Sequence, residues 1–342
     1  MSARLSSQAD NVIISVNPKA GRASPMRRAE ELAAVLRQRG FTVELMTDLA
    51  EVAQKANSLT ALAKLRALVG VGGDGTAAEL VNRTTPDTPI TLLPAGTANL
   101  LAKQFRIPFD SVGMANMIEQ GHTIRLDAGR AVSSDKERLF LVMFSAGIDA
   151  DIVRQVHRRR EEKYKQKHKS GAHISYCSYV GPIFRSIASY RYPLVEIESA
   201  SELLDDDNWE QMQADQVTRQ ACRWPFVFNL PRYGWGVTFN PRCRGNDGKL
   251  DYCFFKRGWI IPAVWNVAMA QFGGLHRLMP GTSLGTGKAF RMTSSGEVPF
   301  QLDGDFAGYL PVSIRIVPER FTAIVPEKVA LKSRYICHDD PT

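Results

Sequence analysis

The first third of the chain alternates short β-branched runs with amphipathic stretches, and its glycine-bearing turns fall at the ends of the β-branched runs. Asn11 to Asn17 reads as a strand, after which Ser24 and Pro25 open an amphipathic segment that stops at Gly40. Ser at the N-cap position, Pro in the first turn and Gly past the end are the punctuation of a helix. Phe41 to Met46 and Ala50 to Arg66 repeat the strand and helix patterns. Ala67 to Val71 then runs into Gly72-Gly73-Asp74-Gly75-Thr76, and Pro89 to Leu93 into Pro94-Ala95-Gly96-Thr97. Repeated βα units predict an α/β domain of the doubly wound kind, a parallel sheet with helices on both faces whose ligands bind beyond the carboxyl ends of the strands.

After about Asp127 the rhythm changes. Leu139 to Ser145, Phe226 to Leu230, Leu250 to Phe255, Ala289 to Thr293, Val298 to Leu302 and Val312 to Val317 are short apolar runs, which predict a mostly antiparallel second domain. Two helical patches interrupt them, a basic stretch continuing through Ala172 to Tyr190 and a second over Ile260 to Phe272, while Ser199 to Gln216 reads as a polar excursion between strands. At about 150 residues per domain, 342 residues suit two domains. No stretch reaches the roughly 20 uninterrupted apolar residues of a spanning helix, and Met1 to Asp10 has no apolar core for a signal peptide, so the expected location is the cytoplasm. Five scattered cysteines without a CxxC pair read as reduced packing residues.

The formal charge of +8 is patchy. Arg154 to Lys169 holds eight basic residues and two acids, whereas Glu196 to Asp215 holds eight acids and no base. Such patchiness argues against nucleic acid as a partner. Tyr176, Tyr179, Tyr190 and Tyr192 follow the basic stretch, and basic residues beside aromatics suit an anionic membrane surface, although no apolar face accompanies the charges on a helical wheel.

Glycines between a strand and a helix let successive backbone N–H groups converge on an anion, and the helix dipole adds to the attraction. Gly72 to Thr76 therefore expects a phosphate. Asp74 would repel that guest unless a divalent cation or a hydroxyl awaiting deprotonation lies between them; the plainer alternative is a tight turn with a capping Asp. Asp303-Gly304-Asp305 likewise has two readings, a carboxyl pair that takes a proton or a type I′ hairpin turn with no chemistry.

Asn17-Pro18-Lys19-Ala20-Gly21, then Gly72 to Thr76 with Glu79 and Asn82, then Leu93 to Asn99, then Phe144 to Ala150, and finally Asp303-Gly304-Asp305 come in an order and spacing that resemble the diacylglycerol kinase catalytic-domain family, which includes bacterial lipid kinases and the sphingosine and ceramide kinases. The resemblance spans roughly Val12 to Pro318. It implies an ATP-binding α/β domain over 1–127, to which 318–342 returns, and a β-sandwich domain for a lipid substrate over 128–317. It places ATP against Asn17, Pro18, Lys19, Ala20, Gly21, Thr47, Gly72, Gly73, Asp74, Gly75, Thr76, Ala77, Ala78 and Thr97. Asp74 takes a catalytic role by the same comparison, and Asp303 or Asp305 is the base, the family's Asp-Gly-Glu being shortened here by one methylene.

Metal is expected in two places. By the same resemblance, a structural Mg2+ loop would use the Asp247 side chain with the carbonyls of Arg244 and Lys249, a plain surface turn being the alternative, and Asp127 would join a carboxylate and water network around a catalytic Mg2+. Where many relatives carry an Asp in that network, this chain has Leu100. The expected activity is ATP-dependent phosphorylation of a diacylglycerol-like lipid at an anionic membrane surface, by a cytoplasmic protein that associates peripherally with the membrane. A kinase of a soluble acceptor such as NAD and a non-catalytic lipid or nucleotide sensor are the alternatives. The oligomeric state stays open, a homodimer among the options.

Overall fold

A computed structural model describes residues 2–17, 25–96, 98–134, 136–167, 186, 190–202, 209, 216–232, 238–240, 242–257 and 280–335. The chain divides into two units, one of Met1–Leu126, His168–His173 and Glu319–Thr342, the other of Asp127–Lys167 and Ile174–Pro318. Pro18 to Gly21, Thr97, the acidic excursion over 203–208 and 210–215, the helical patch expected over Ala172 to Tyr190 apart from Ser186 and Tyr190, and the patch expected over Ile260 to Phe272 lie outside the described residues.

The first unit begins with β1 (Ser2–Arg4), β2 (Asn11–Val16), α1 (Pro25–Gln38), β3 (Thr42–Met46), α2 (Leu49–Ala61), β4 (Leu65–Gly72), α3 (Asp74–Arg83), β5 (Pro89–Pro94), α4 (Leu100–Gln104) and α5 (Ser111–Gln120). β3, β2, β4 and β5 lie side by side in that order, all parallel, and Thr322 and Ala323 continue the sheet beside β5. β4 and β5 are buried along their whole length, as strands covered on both faces must be. α1 buries Ala29, Leu32, Ala33 and Leu36, the i, i+3, i+4, i+7 stripe of a helix lying on a sheet. α1 packs on α5 and α2 on α3. Asp48 caps α2 through the amides of Ala50 and Glu51, and Asp110 caps α5 through Gly113.

The helix expected over Ala50 to Arg66 ends earlier, at Ala61. Leu65 and Arg66 already belong to β4, where Arg66 is buried and donates to the carbonyls of Ile118, Ser6 and Glu119. A basic residue at what reads as a helix end is here a buried donor for the last carbonyls of α5.

The second unit takes up the chain within β6 (His122–Ser133) and adds β7 (Lys136–Phe140), β8 (Met143–Ala146), α6 (Ile148–Lys167), β9 (Val195–Ala200), β10 (Val217–Cys222), β11 (Trp224–Phe228), β12 (Leu250–Phe255), β13 (Thr282–Gly287), β14 (Ala289–Thr293), β15 (Pro299–Leu302) and β16 (Asp305–Tyr309). β17 (Val312–Ile324) then carries the chain back toward the first unit, where α7 (Glu327–Tyr335) packs on β1. One antiparallel sheet runs β13-β12-β11-β8-β15-β16, and a second runs β10-β9-β14 and the first residues of β17. Their facing side chains form a single core, with Phe144, Val227, Phe254 and Phe300 from one sheet meeting Ile197, Phe290, Met292 and Ile314 from the other. This is a β-sandwich, each fully buried Phe contributing roughly 1.5–3 kcal/mol.

The run Leu139 to Ser145, expected as one strand, is two, because the ladder breaks at Leu141 and Val142. Within the expected polar excursion, Ser199 and Ala200 close β9, whose Val195 and Ile197 point into the core. Cys222, Cys243 and Cys253 are free and buried, and burial pushes all three thiols up. Among the described residues no helix is long and apolar enough to cross a membrane.

Candidate functional site

At the carboxyl edge of the parallel sheet the strand ends bring Thr47, Asn17, Gly73 and Gly96 into sequence along β3, β2, β4 and β5. The chain leaves β2 for β3 on one side and returns to β4 on the other, so Asn17 and Gly73 flank the point where strand order reverses, the usual place for a ligand in such sheets. Asn17 and Thr47 are exposed there. The two glycine turns touch through their backbones. A Cβ on Gly96 would lie 2.6 Å from the Gly73 Cα, and one on Gly73 would lie 3.1 Å from the Gly96 Cα, so this approach requires glycine. The Ala95 amide donates to the Gly72 carbonyl at 2.9 Å, and Asn99, in left-handed conformation, accepts from the Gly96 amide and donates to its carbonyl, both at 2.9 Å.

Asp74 ties these turns together. Its carboxylate, 8% exposed, accepts the amides of Leu100 and Leu101, each at 2.9 Å, and so caps α4 from another helix. Burial raises its proton affinity against the pull of those two amides. Of the two sequence readings, the capping one is seen in these two hydrogen bonds. Gly73 stands at the N-cap of α3 and supplies no side-chain acceptor. The first turn of α3 therefore lacks the side-chain cap that α2 and α5 have, its Thr76 amide turning back to the Gly73 carbonyl at 3.0 Å, and a helix start without a side-chain acceptor suits an anion. Gly72 to Thr76 form the sheet edge, while the side chains of Ala77 and Ala78 are buried.

In the second unit Asp303 and Gly304 connect β15 to β16 as a two-residue hairpin, both at positive φ (52° and 88°), as a type I′ turn requires. The Asp303 carboxylate accepts three amides, from Leu141 at 2.7 Å, Val142 at 2.8 Å and Met143 at 3.0 Å. These are the amides at the break between β7 and β8, so Asp303 both turns its own hairpin and ends the neighbouring strand. Asp305 has a different environment. Its side chain is 35% exposed, with His157 Nε2 at 3.2 Å from one oxygen and Arg138 Nη2 at 3.7 Å from the other. Of the carboxyl pair, Asp303 is engaged by backbone and Asp305 faces ionisable side chains.

Asp127 is 1% exposed and belongs to the same unit. Its carboxylate accepts the Gly248 amide at 2.8 Å and its own amide donates to the Gly245 carbonyl at 2.7 Å, so it anchors the loop that carries Asp247. Asp247 is exposed and closes a local turn onto the Lys249 amide at 3.2 Å, beside exposed Arg244 and Lys249. Partial desolvation of its carboxyl by the loop raises the proton affinity of Asp247 even though the residue is exposed, and burial raises that of Asp251, more deeply placed, to about 6. Among the described residues no group of three or more His, Cys, Asp or Glu could hold a metal ion. Asp74 and Asp127 each accept backbone amides.

A family model for the diacylglycerol kinase catalytic domain matches residues 11–131. Over those residues the chain is similar to a diacylglycerol kinase catalytic domain. It is 23% identical to a diacylglycerol kinase of Staphylococcus carnosus over 92% of this chain and 94% of the relative, and 24% identical to one of Mycobacterium tuberculosis over 91% and 93%. A crystal structure of a diacylglycerol kinase from Bacillus anthracis superposes with a TM-score of 0.59 at 17% identity, covering 94% of this chain and 98% of that one, which bears on the fold alone.

Beyond the matched residues, the second unit holds a buried hydrogen-bond line behind the acid turn. Gln301 accepts the Gly304 amide at 2.6 Å and donates to Ser145 Oγ at 2.7 Å, and Ser145 in turn donates to Asp149. Trp224 Nε1 donates to the other Asp149 oxygen at 2.8 Å. Sequence reading had the Phe144 to Ala150 segment as a motif without a role; its polar residues support the turn. It missed His157, Arg138 and Gln301, which carry no motif signal because topology alone brings them there.

Full burial raises the Asp149 pKa to about 6, against the hydrogen bonds from Ser145 and Trp224. An unfolded Asp ionises near 3.9, so between about pH 4 and 6 the folded protein keeps a proton that the unfolded chain gives up. Stability from this group is therefore present below about pH 4 and lost as pH rises through about 6. Asp149→Asn removes the titration. The stability of the parent relative to this variant is expected to fall by at most roughly 3 kcal/mol between pH 4 and pH 7, measured by urea denaturation.

Proposed function

We propose that this protein transfers the γ-phosphoryl group of ATP to the hydroxyl of a diacylglycerol-like lipid. The observation that carries the reading is the contact between the two glycine turns at the carboxyl edge of the parallel sheet, beside the start of α3, which has no side-chain cap. Backbone donors suit a polyphosphate, because phosphoryl transfer depends on positioning and on neutralising charge over the phosphate oxygens. Asn17, Thr47 and Gly72 to Thr76 border that edge. In the second unit Asp305 is the group proposed as base. It takes the proton of the lipid hydroxyl as that oxygen bonds to the γ-phosphorus and the bond to the bridging oxygen of ADP breaks. Mg2+ would arrive on the nucleotide phosphates, and no step is assigned to it here.

The names of the relatives favour a lipid acceptor. Docking at an anionic membrane surface through exposed Arg158 and its basic neighbours on α6 belongs to the same proposal; Arg154 is held by Asp151 and contributes less. The test is labelled ATP and Mg2+ with mixed micelles of diacylglycerol, sphingosine or phosphatidylglycerol. Labelled lipid is the expected product. No labelled lipid, under conditions where a reference lipid kinase works, would sink the proposal, and detergent-free phosphorylation of NAD would replace it with the soluble-acceptor reading.

A further inference from the structure

We infer that His157 is a positioning residue for Asp305 and holds that carboxylate in the orientation in which it acts as a base. The inference rests on the proposed kinase reading. His157 lies on α6, which packs on β8, β15 and β16, and its Nε2 is 3.2 Å from Asp305 Oδ1. A neutral imidazole that donates Nε2–H to this oxygen fixes the carboxylate rotamer and leaves the second oxygen to receive the substrate proton. An imidazolium puts a positive charge at the same distance and makes the carboxylate a weaker base.

The other charged groups nearby are placed differently. Arg138 on β7 faces the other Asp305 oxygen at 3.7 Å. On α6, Arg154 is paired with Asp151 and reaches Tyr309 Oη at 3.5 Å, and Arg158 pairs with Glu162 at 3.6 Å. Asp149 is enclosed by Ser145 and Trp224, and Asp303 by three amides. β8 and β15 bring no ionisable side chain, and β16 brings only Asp305 and Tyr309.

The experiment compares lipid phosphorylation by the full chain and its variants. His157→Ala should lower kcat on the order of tenfold, with KM for ATP unchanged. His157→Gln, which keeps an N–H donor, should recover most of that loss. A His157→Ala enzyme with the parent's kcat overturns the inference. A second readout needs no turnover: the NMR signals of the His157 ring should shift in Asp305→Asn, where the facing carboxylate is gone. Unmoved ring signals also overturn it. A parent protein inactive on every lipid would sink the kinase reading, and the ring signals would still decide the pairing.

Discussion

Asp305→Asn is expected to reduce kcat for lipid phosphorylation by about two to four orders of magnitude, with the melting temperature close to that of the parent. Asn has the same size and can still accept from His157, so the replacement removes basicity and little else. The carboxylate is 35% exposed and its partners are 27% (His157) and 31% (Arg138) exposed, so these pairs contribute at most about 1 kcal/mol to folding once solvent screening is counted. Loss of activity without loss of stability separates a base from a structural carboxyl. Calorimetry beside a steady-state assay is sufficient, and an Asp305→Asn enzyme with near-normal kcat would remove Asp305 from the mechanism.

The first unit was the more legible part of this fold. Pro25, Gly40 and the β-branched runs specify their elements locally, and the glycine turns fall where the parallel sheet needs them. In the second unit the antiparallel sandwich could be read from apolar runs, but its details depend on residues far apart in sequence. Nothing local in Leu139 to Ser145 marks a strand break; the acceptor that makes it is Asp303, 162 positions from Leu141. β13 was missed because Gly285 and Gly287 dilute its pattern, although a Cβ on Gly285 would lie 2.5 Å from the Tyr252 hydroxyl, so the glycine makes room for that ring. The site divides the same way. The glycine turns and the two acids were visible as motifs, whereas which acid is engaged, and by what, depended on backbone amides that no motif records.

Asp303→Ala is expected to destabilise the second unit by about 3–6 kcal/mol, a large part of the 5–15 kcal/mol that holds an ordinary domain together. The carboxylate accepts three amides, at 2.7, 2.8 and 3.0 Å, and truncation leaves all three without their acceptor at a break between strands. The backbone adds to the loss, since φ at Asp303 is 52° and Ala tolerates the left-handed region less well than Asp or Asn. Asp303→Gly separates the two causes, because it accepts the conformation and still loses the hydrogen bonds. Asp303→Asn should fall between parent and Ala, since one carbonyl oxygen can still serve Val142 and Met143 while the amide nitrogen faces the Leu141 N–H. Denaturant melts give the ranking, and hydrogen exchange should show protection lost first at residues 141–143. Activity should fall with stability, because Asp305 follows Asp303 by two residues in the same turn. An Asp303→Ala protein as stable as the parent yet inactive would return Asp303 to the chemistry and leave Asp305 as its bystander.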